Sequence, residues 1–252
     1  MFDSNRNRAA TEPLNTSDLF VMNTKGEEQT FLVRGSSATW SPDGKNIAFH
    51  SSASGTGLPI KPDAGAATSD SDIFVMNLDD GLLAGRKNIT NSPLMIDDDP
   101  DWSPDGQKIV FTSHSIFDNP NNSATAEIYV INADGTDVQV QLTSNTEEER
   151  APSWSPDGTR IVFMCRRGGP DFEICVMNAD GSGQVQLTNN TVFDGTPTFS
   201  PDGQKIVFHR TMTPTQQIWM MNADGTGQTQ MTSPPGFNLF ANWGVLRVRS
   251  KD

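Results

Sequence analysis

No run of about 18 consecutive apolar residues occurs in this chain, so no helix in it is built to span a bilayer. The opening MFDSNRNRAATEP has no apolar stretch of the kind a secretory signal needs, so either the chain is cytoplasmic or a leader lies outside this sequence. Cysteine is nearly absent. Cys165 and Cys175 are the only two, which excludes a disulfide scaffold and a Cys-rich zinc site. Positive charge is also scarce: Lys plus Arg number 18 against 31 Asp plus Glu, a net charge of −13. That balance excludes sequence-independent binding to nucleic acid or anionic membrane and favours cations or basic partners. Long helical periodicity is missing as well. Gly, Pro, Asn, Asp, Ser and Thr are abundant instead, which predicts many short strands joined by turns in a single domain.

What is present is a repeat. TWSPDGKNIAF starts at Thr39, DWSPDGQKIVF at Asp101, SWSPDGTRIVF at Ser153 and TFSPDGQKIVF at Thr198, and a degenerate ANWGVLRV starts at Ala241. A second word alternates with the first: LFVMN ends at Asn23, IFVMN at Asn77, IYVIN at Asn132, ICVMN at Asn178 and IWMMN at Asn222. Successive Trp/Phe positions of the first word lie 44 to 62 residues apart. This suits one propeller blade per repeat, with the spread taken up by loops. Each unit reads as strand A through the Trp or Phe, B through I-x-F, C through I-x-V-x-N and D through segments such as VQVQLT. SPDG and NADG supply the A–B and C–D turns, with Gly at the left-handed position. Strands B and C are apolar on both faces, as expected when each sheet is sandwiched between neighbours.

FDSNR at Phe2 aligns with the end of a strand B, and ANWGVLRV with a strand A that has no successor. The expected fold is therefore an all-β, five-bladed propeller of four-stranded antiparallel blades in one domain, 1–252. Its blades cover approximately 36–92, 97–145, 149–190, 194–234, and 238–252 joined with 1–34. The C-terminal strand closes the ring as a one-strand clasp, and six blades is the less favoured count.

The words WSPDGxxIxF, IYVMNADG and QLT resemble the repeat of TolB-like β-propeller proteins, and the resemblance covers almost the whole chain, from Phe2 to Val248. Members of that family are mostly extracytoplasmic bacterial binding proteins whose channel mouth accepts a peptide or a partner domain. The resemblance therefore implies a periplasmic or secreted protein. Six blades and a preceding α/β domain are known in the family, whereas five blades are counted here. The repeat also looks similar to that of propeller lyases acting on pectin fragments, which use several His with a metal.

The turn aspartates Asp43, Asp105, Asp157 and Asp202 of SPDG, and Asp134, Asp180 and Asp224 of NADG, recur with the architecture and are assigned no site. Upstream of strand A the copies differ: one column reads Gly35, Asp97, Glu149, Asp194 and Asn238. The D–A connections of a propeller converge on one mouth of the channel. Asp97, Asp98, Glu149, Arg150, Asp194 and Asn238 are thus the candidate ligand-binding residues, and Asp97, Glu149 and Asp194 the candidate ligands of a hard divalent cation such as Ca²⁺. The plainer reading of the same column is a solvated acidic rim with Arg150 as its counter-ion. His50 and His209 each follow a strand-B Phe, and a packing or surface role is expected for them. Cys165 and Cys175 flank the loop of one B–C hairpin, where two buried free thiols are expected and a bridge is the alternative.

No nucleophile paired with a base is recognisable. The leading functional expectation is a non-enzymatic, monomeric binding propeller. Its channel mouth and B–C loops, among them 51–72 and 113–127, would be presented to a peptide, protein or glycan. The alternative is a carbohydrate-active enzyme, a glycoside hydrolase or lyase, using the channel-mouth carboxylates. A further possibility is that the chain is a fragment of a larger protein.

Overall fold

The structure is a computed structural model that describes residues 2–4 (backbone only), 18–23, 25–51, 71–78, 85–115, 126–213, 215–234, 236 and 238. Among these residues every regular element is a β-strand. The chain divides into two compact units, residues 1–150 and 151–252. In the first unit, β1 (Phe2–Ser4), β2 (Asp18–Val21) and β3 (Thr30–Arg34) form a three-stranded sheet. It is followed by a four-stranded sheet of β4 (Ser36–Trp40), β5 (Asn46–Ser51), β6 (Asp72–Asn77) and β7 (Arg86–Asn88). The third sheet holds β8 (Met95–Trp102), β9 (Lys108–Ser115), β10 (Glu127–Asn132) and β11 (Val140–Gln141).

The fourth sheet opens with β12 (Glu148–Trp154), which runs across the unit boundary, and continues with β13 (Arg160–Arg166), β14 (Glu173–Asn178) and β15 (Val185–Gln186). The fifth comprises β16 (Asp194–Phe199), β17 (Lys205–Met212), β18 (Thr215–Asn222) and β19 (Thr229–Gln230). Each four-stranded sheet is an antiparallel meander in chain order, matching the strands A to D read from the repeat. The ANWGVLRV segment assigned to the closing strand lies outside the described residues, as do 52–70 and 116–125 of the two long B–C loops.

The double-sided apolar strands have a direct explanation. Successive side chains of a strand face opposite ways, so a buried neighbour is needed on each side. On β5, Ile47 and Phe49 pack with Leu19, Leu32 and Val33 of the first sheet, while Ala48 between them packs with Trp102, Ile109 and Phe111 of the third. On β6, Phe74 and Met76 take the first side and Ile73 the second. In the second unit Val162, Ile174 and Val176 meet Phe199, Ile206, Phe208 and Met221 in the same manner.

The SPDG turn repeats with near-identical geometry. Ser155 Oγ donates to Asp157 Oδ1 at 2.6 Å, the same oxygen accepts from the Thr159 backbone N–H at 3.0 Å, and Gly158 closes the turn at φ 69°. These donors hold the Asp157 carboxyl down at about 2, the Ser155 hydroxyl being the largest cause. A depressed folded pKa adds stability that is present above the ordinary carboxylate range and is lost as pH falls through the folded value. Asp157→Asn is therefore expected to flatten the fall in melting temperature between about pH 4 and about pH 2. Thermal melts across that window check it, and superimposable wild-type and variant profiles would count against the turn carboxylate.

Strand A carries a bulge in three of the complete copies. Register shifts between Ser36 and Thr39, Asp98 and Asp101, and Gly195 and Thr198. The residues Ser37, Asp99, Ala151 and Thr196 hold positive φ of 48, 50, 48 and 45°. Three of these four are followed by Pro100, Pro152 or Pro197. A proline has no N–H to lose from the ladder, so it fits a position where pairing is already interrupted.

Candidate functional site

Four members of the upstream column, Asp97, Glu149, Asp194 and Asn238, share one backbone tie. In each the N–H donates to the carbonyl two residues before the strand-C word of the preceding sheet: Asp97 to Ser71 (2.9 Å), Glu149 to Ala126 (2.8 Å), Asp194 to Phe172 (2.9 Å) and Asn238 to Gln216 (2.9 Å). The column is thus a seam where one sheet's B–C loop meets the start of the next sheet's strand A.

Asp97, Glu149 and Asp194 are each 0% exposed. This corrects the picture of a solvated acidic rim, because the backbone tie turns these side chains inward. Each is served by donors of its own. Asp97 Oδ1 accepts from Ser113 Oγ at 2.5 Å, and Glu149 Oε1 accepts from Asn145 Nδ2 at 2.8 Å. Asp194 is gripped by Arg210, whose Nε and Nη2 donate to the two carboxylate oxygens at 2.6 and 2.7 Å, and Asn190 Nδ2 adds a third bond at 2.8 Å. Among the described residues no three His, Cys, Asp or Glu side chains are placed to hold a metal ion. Asn238 is half-buried and reaches Gln217 Oε1 at 3.3 Å.

Burial is the main cause that pushes the Asp97 carboxyl up to about 6, with the Asp72 charge adding to it and the hydroxyls of Ser113, Thr90 and Ser92 opposing it. Asp98 is likewise pushed well above the carboxylate range, by burial first and then by Asp99. Arg150 serves as a counter-ion, though to other carboxylates than the column: its Nε lies 2.5 Å from Glu148 Oε1 and its Nη1 3.8 Å from Asp98 Oδ2. Asp98 and Arg150 keep 19% and 24% of their side chains exposed, so they alone among the candidate acids and their counter-ion reach solvent.

A second acidic column went unread in the sequence, although its signal was there. The residue just before each strand-C word is Asp18, Asp72, Glu127, Glu173 or Gln217. In the last four copies it anchors the strand-D end. The Thr hydroxyl that ends the strand-D word (NIT, QLT or QMT) accepts from the first strand-C amide of the same sheet, at 3.0 Å for Thr90 from Ile73 and 2.9 Å for Thr143, Thr188 and Thr232 from Ile128, Ile174 and Ile218. Thr90, Thr188 and Thr232 also donate to Asp72, Glu173 and Gln217.

His50 and His209 hold equivalent places, bonding Ser36 Oγ at 3.2 Å and Thr196 Oγ1 at 2.7 Å respectively, both on strand A. The His209 ring is buried, which lowers its pKa, and it stacks on Phe193 at 5.4 Å. Cys165 and Cys175 are bridged, with Cα atoms 5.8 Å apart, and this corrects the expectation of free thiols. The register explains why it was missed: Cys165 lies opposite Glu173 and Cys175 opposite Phe163, so the bridge runs diagonally across β13 and β14.

The bridge closes the base of the loop from Arg166 to Phe172. Arg166 lies over the Phe172 ring at 4.6 Å, Phe172 packs edge-on against Phe193 at 5.7 Å, and Arg167 Nη2 donates to Gln184 Oε1 at 2.5 Å. Gly168, Gly169 and Pro170 at the tip are exposed. Beside them runs the Phe172 carbonyl that receives the Asp194 N–H. A covalently closed, aromatic-backed loop of arginines therefore stands at the seam.

A family profile described as the TolB beta propeller domain matches residues 64–247. The curated dipeptidyl-peptidase 5 of Porphyromonas gingivalis is 42% identical over 67 residues, 27% of this chain and 10% of that protein. The chain thus spans about a tenth of that relative's length. The crystal structure of TolB from Acinetobacter baumannii superposes with a TM-score of 0.65 at 21% identity, covering 86% of this chain and 49% of that one. An oligogalacturonate lyase in complex with manganese superposes with a TM-score of 0.61 at 13% identity, covering 87% of this chain and 60% of that one. Likeness at such identities establishes the propeller fold and nothing finer.

Proposed function

Because the chain belongs to the TolB β-propeller family, we propose that it is a non-enzymatic binding propeller whose B–C loops and D–A seam receive a peptide, protein or glycan. The observation that carries this reading is the loop from Arg166 to Phe172. Gly168 and Gly169 at its tip would make an unrestrained loop costly to order. The Cys165–Cys175 bridge and the Arg166, Phe172 and Phe193 packing remove much of that cost in advance. Its arginines are assigned to ligand contact in the second unit; in the first unit the partly exposed Asp98 and Arg150 are assigned that role by themselves. Asp97, Glu149, Asp194 and Asn238 hold the seam from which the loops rise.

The hydrolase or lyase alternative relied on Asp97, Glu149 and Asp194. Their complete burial favours binding over catalysis, since a catalytic carboxylate must meet its substrate. An extracytoplasmic location is proposed with it, supported by the bridge, because structural disulfides persist in oxidising compartments. Five blades closed by the 241–248 strand, in a monomer, complete the reading.

Pull-down from an envelope extract tests the function, comparing wild type with Arg166→Ala/Arg167→Ala and with Asp98→Asn. Loss of a specific partner from the loop variant, with an unchanged melting temperature, is expected. Identical captured sets from all three proteins would refute the loop as the recognition element.

A further inference from the structure

Comparing the seam from copy to copy isolates one position. Glu149 receives an amide from Asn145, and Asp194 receives one from Asn190 plus the Arg210 guanidinium. Asn145 and Asn190 stand two residues beyond Thr143 and Thr188. The corresponding residue beyond Thr90 is Ser92. Arg210 stands opposite Asp194 in the ladder, and opposite Asp97 stands Ser113. Both nitrogen donors are therefore replaced by short hydroxyls at Asp97.

The consequence is visible atom by atom. Asp97 is 0% exposed, and its Oδ2 meets no hydrogen-bond donor among the described residues. The nearby Ser92 backbone N–H and Thr90 hydroxyl are committed to Asp72 Oδ1, at 2.8 and 3.3 Å, and Asn88 Nδ2 to Asp72 Oδ2 at 2.8 Å. Ser71 ties the two acids together, since its carbonyl accepts the Asp97 N–H and its hydroxyl donates to the Asp97 carbonyl at 3.1 Å. Among the described residues neither Asp72 nor Asp97 has a salt bridge. A fully buried carboxylate with a half-buried one beside it and no cation is costly, and a positive ligand relieves that cost directly.

We propose that Asp72 and Asp97, with the hydroxyls of Thr90, Ser92 and Ser113, form a partly buried site for a hard divalent cation such as calcium. An all-oxygen set of carboxylates and hydroxyls matches that class of ion, with water completing its six to eight ligands. The site differs from a channel-mouth ring in that both acids belong to one seam, that between the second and third sheets.

Calcium chloride titrated into chelator-treated full-length protein near neutral pH tests the site, by calorimetry and by thermal melts. One ion per chain is expected, with a rise in melting temperature of about 5–10 °C at a hundredfold excess over Kd. Asp97→Asn should abolish both responses. Ser92→Asn gives Asp97 the amide that Glu149 and Asp194 already have, so it should fold as wild type and lose the calcium response. If Asp97→Asn fails to fold, Ser92→Asn decides. Absence of a calcium heat and of a thermal shift in the wild type, or an undiminished response in Ser92→Asn, would overturn the site. Partner capture by the Arg166–Phe172 loop should persist in Ser92→Asn, so the two readings fail separately.

Discussion

Replacing Arg210 by methionine should destabilise the protein by about 3–5 kcal/mol, a fall in melting temperature of roughly 6–20 °C. The reason is the asymmetry of buried ion pairs. Forming one yields little net stability, but removing one partner strands the other's charge away from water. Asp194 is 0% exposed and would keep only Asn190 among its side-chain donors. The Arg210 guanidinium also lies 4.5 Å from the Trp219 ring and donates to Gln228 at 3.0 Å, so its planar head is fixed on several sides. Methionine preserves the stem's packing and removes the charge alone. Adding Asp194→Asn to Arg210→Met should recover much of the loss, which makes the coupling measurable by a double-mutant cycle in urea. A single-variant loss below about 1 kcal/mol would mean that Asp194 finds other compensation.

Deleting residues 241–252 should unfold the protein in one cooperative transition below the wild-type melting temperature. The first sheet has three described strands in the order β1-β2-β3, with β1 at the B position and nothing described at A. The repeat register assigns that place to ANWGVLRV. Losing it would remove Trp243, worth about 3–5 kcal/mol if buried like its counterparts Trp102 and Trp154, together with a ladder of backbone hydrogen bonds. A truncated chain that melts as the wild type does would dispose of the five-blade closure.

The strands and turns were legible in the sequence because their chemistry is local. SPDG and NADG each specify a turn through their own Pro, Asp and Gly, and I-x-F with I-x-V-x-N marks a strand buried on both faces. Sheet order followed from chain order. The seam was legible only as a column of residue types. Nothing in the letters Asp97, Glu149 and Asp194 says which way the side chains turn, since that depends on carbonyls of Ser71, Ala126 and Phe172 some 22 to 26 residues earlier. The companion column from Asp18 to Gln217 was equally regular, yet it sits at the border between irregular loops and strand C, where loop residues draw less notice. The disulfide escaped for a reason of register, because one residue more or less in the RRGGPDFE loop decides whether two cysteines on facing strands are opposite, diagonal or turned apart.

The outermost strands have a further consequence. β11, β15 and β19 pair over two residues each and β7 over three, while their inner neighbours run to six or eight. An edge that short offers a foreign strand few amides and carbonyls on which to start a ladder. Duplication of a whole unit would thus add another blunt-edged sheet and no sticky one. A gene that lengthens by repeating itself could in this way change its number of blades over evolutionary time without passing through an aggregating ancestor.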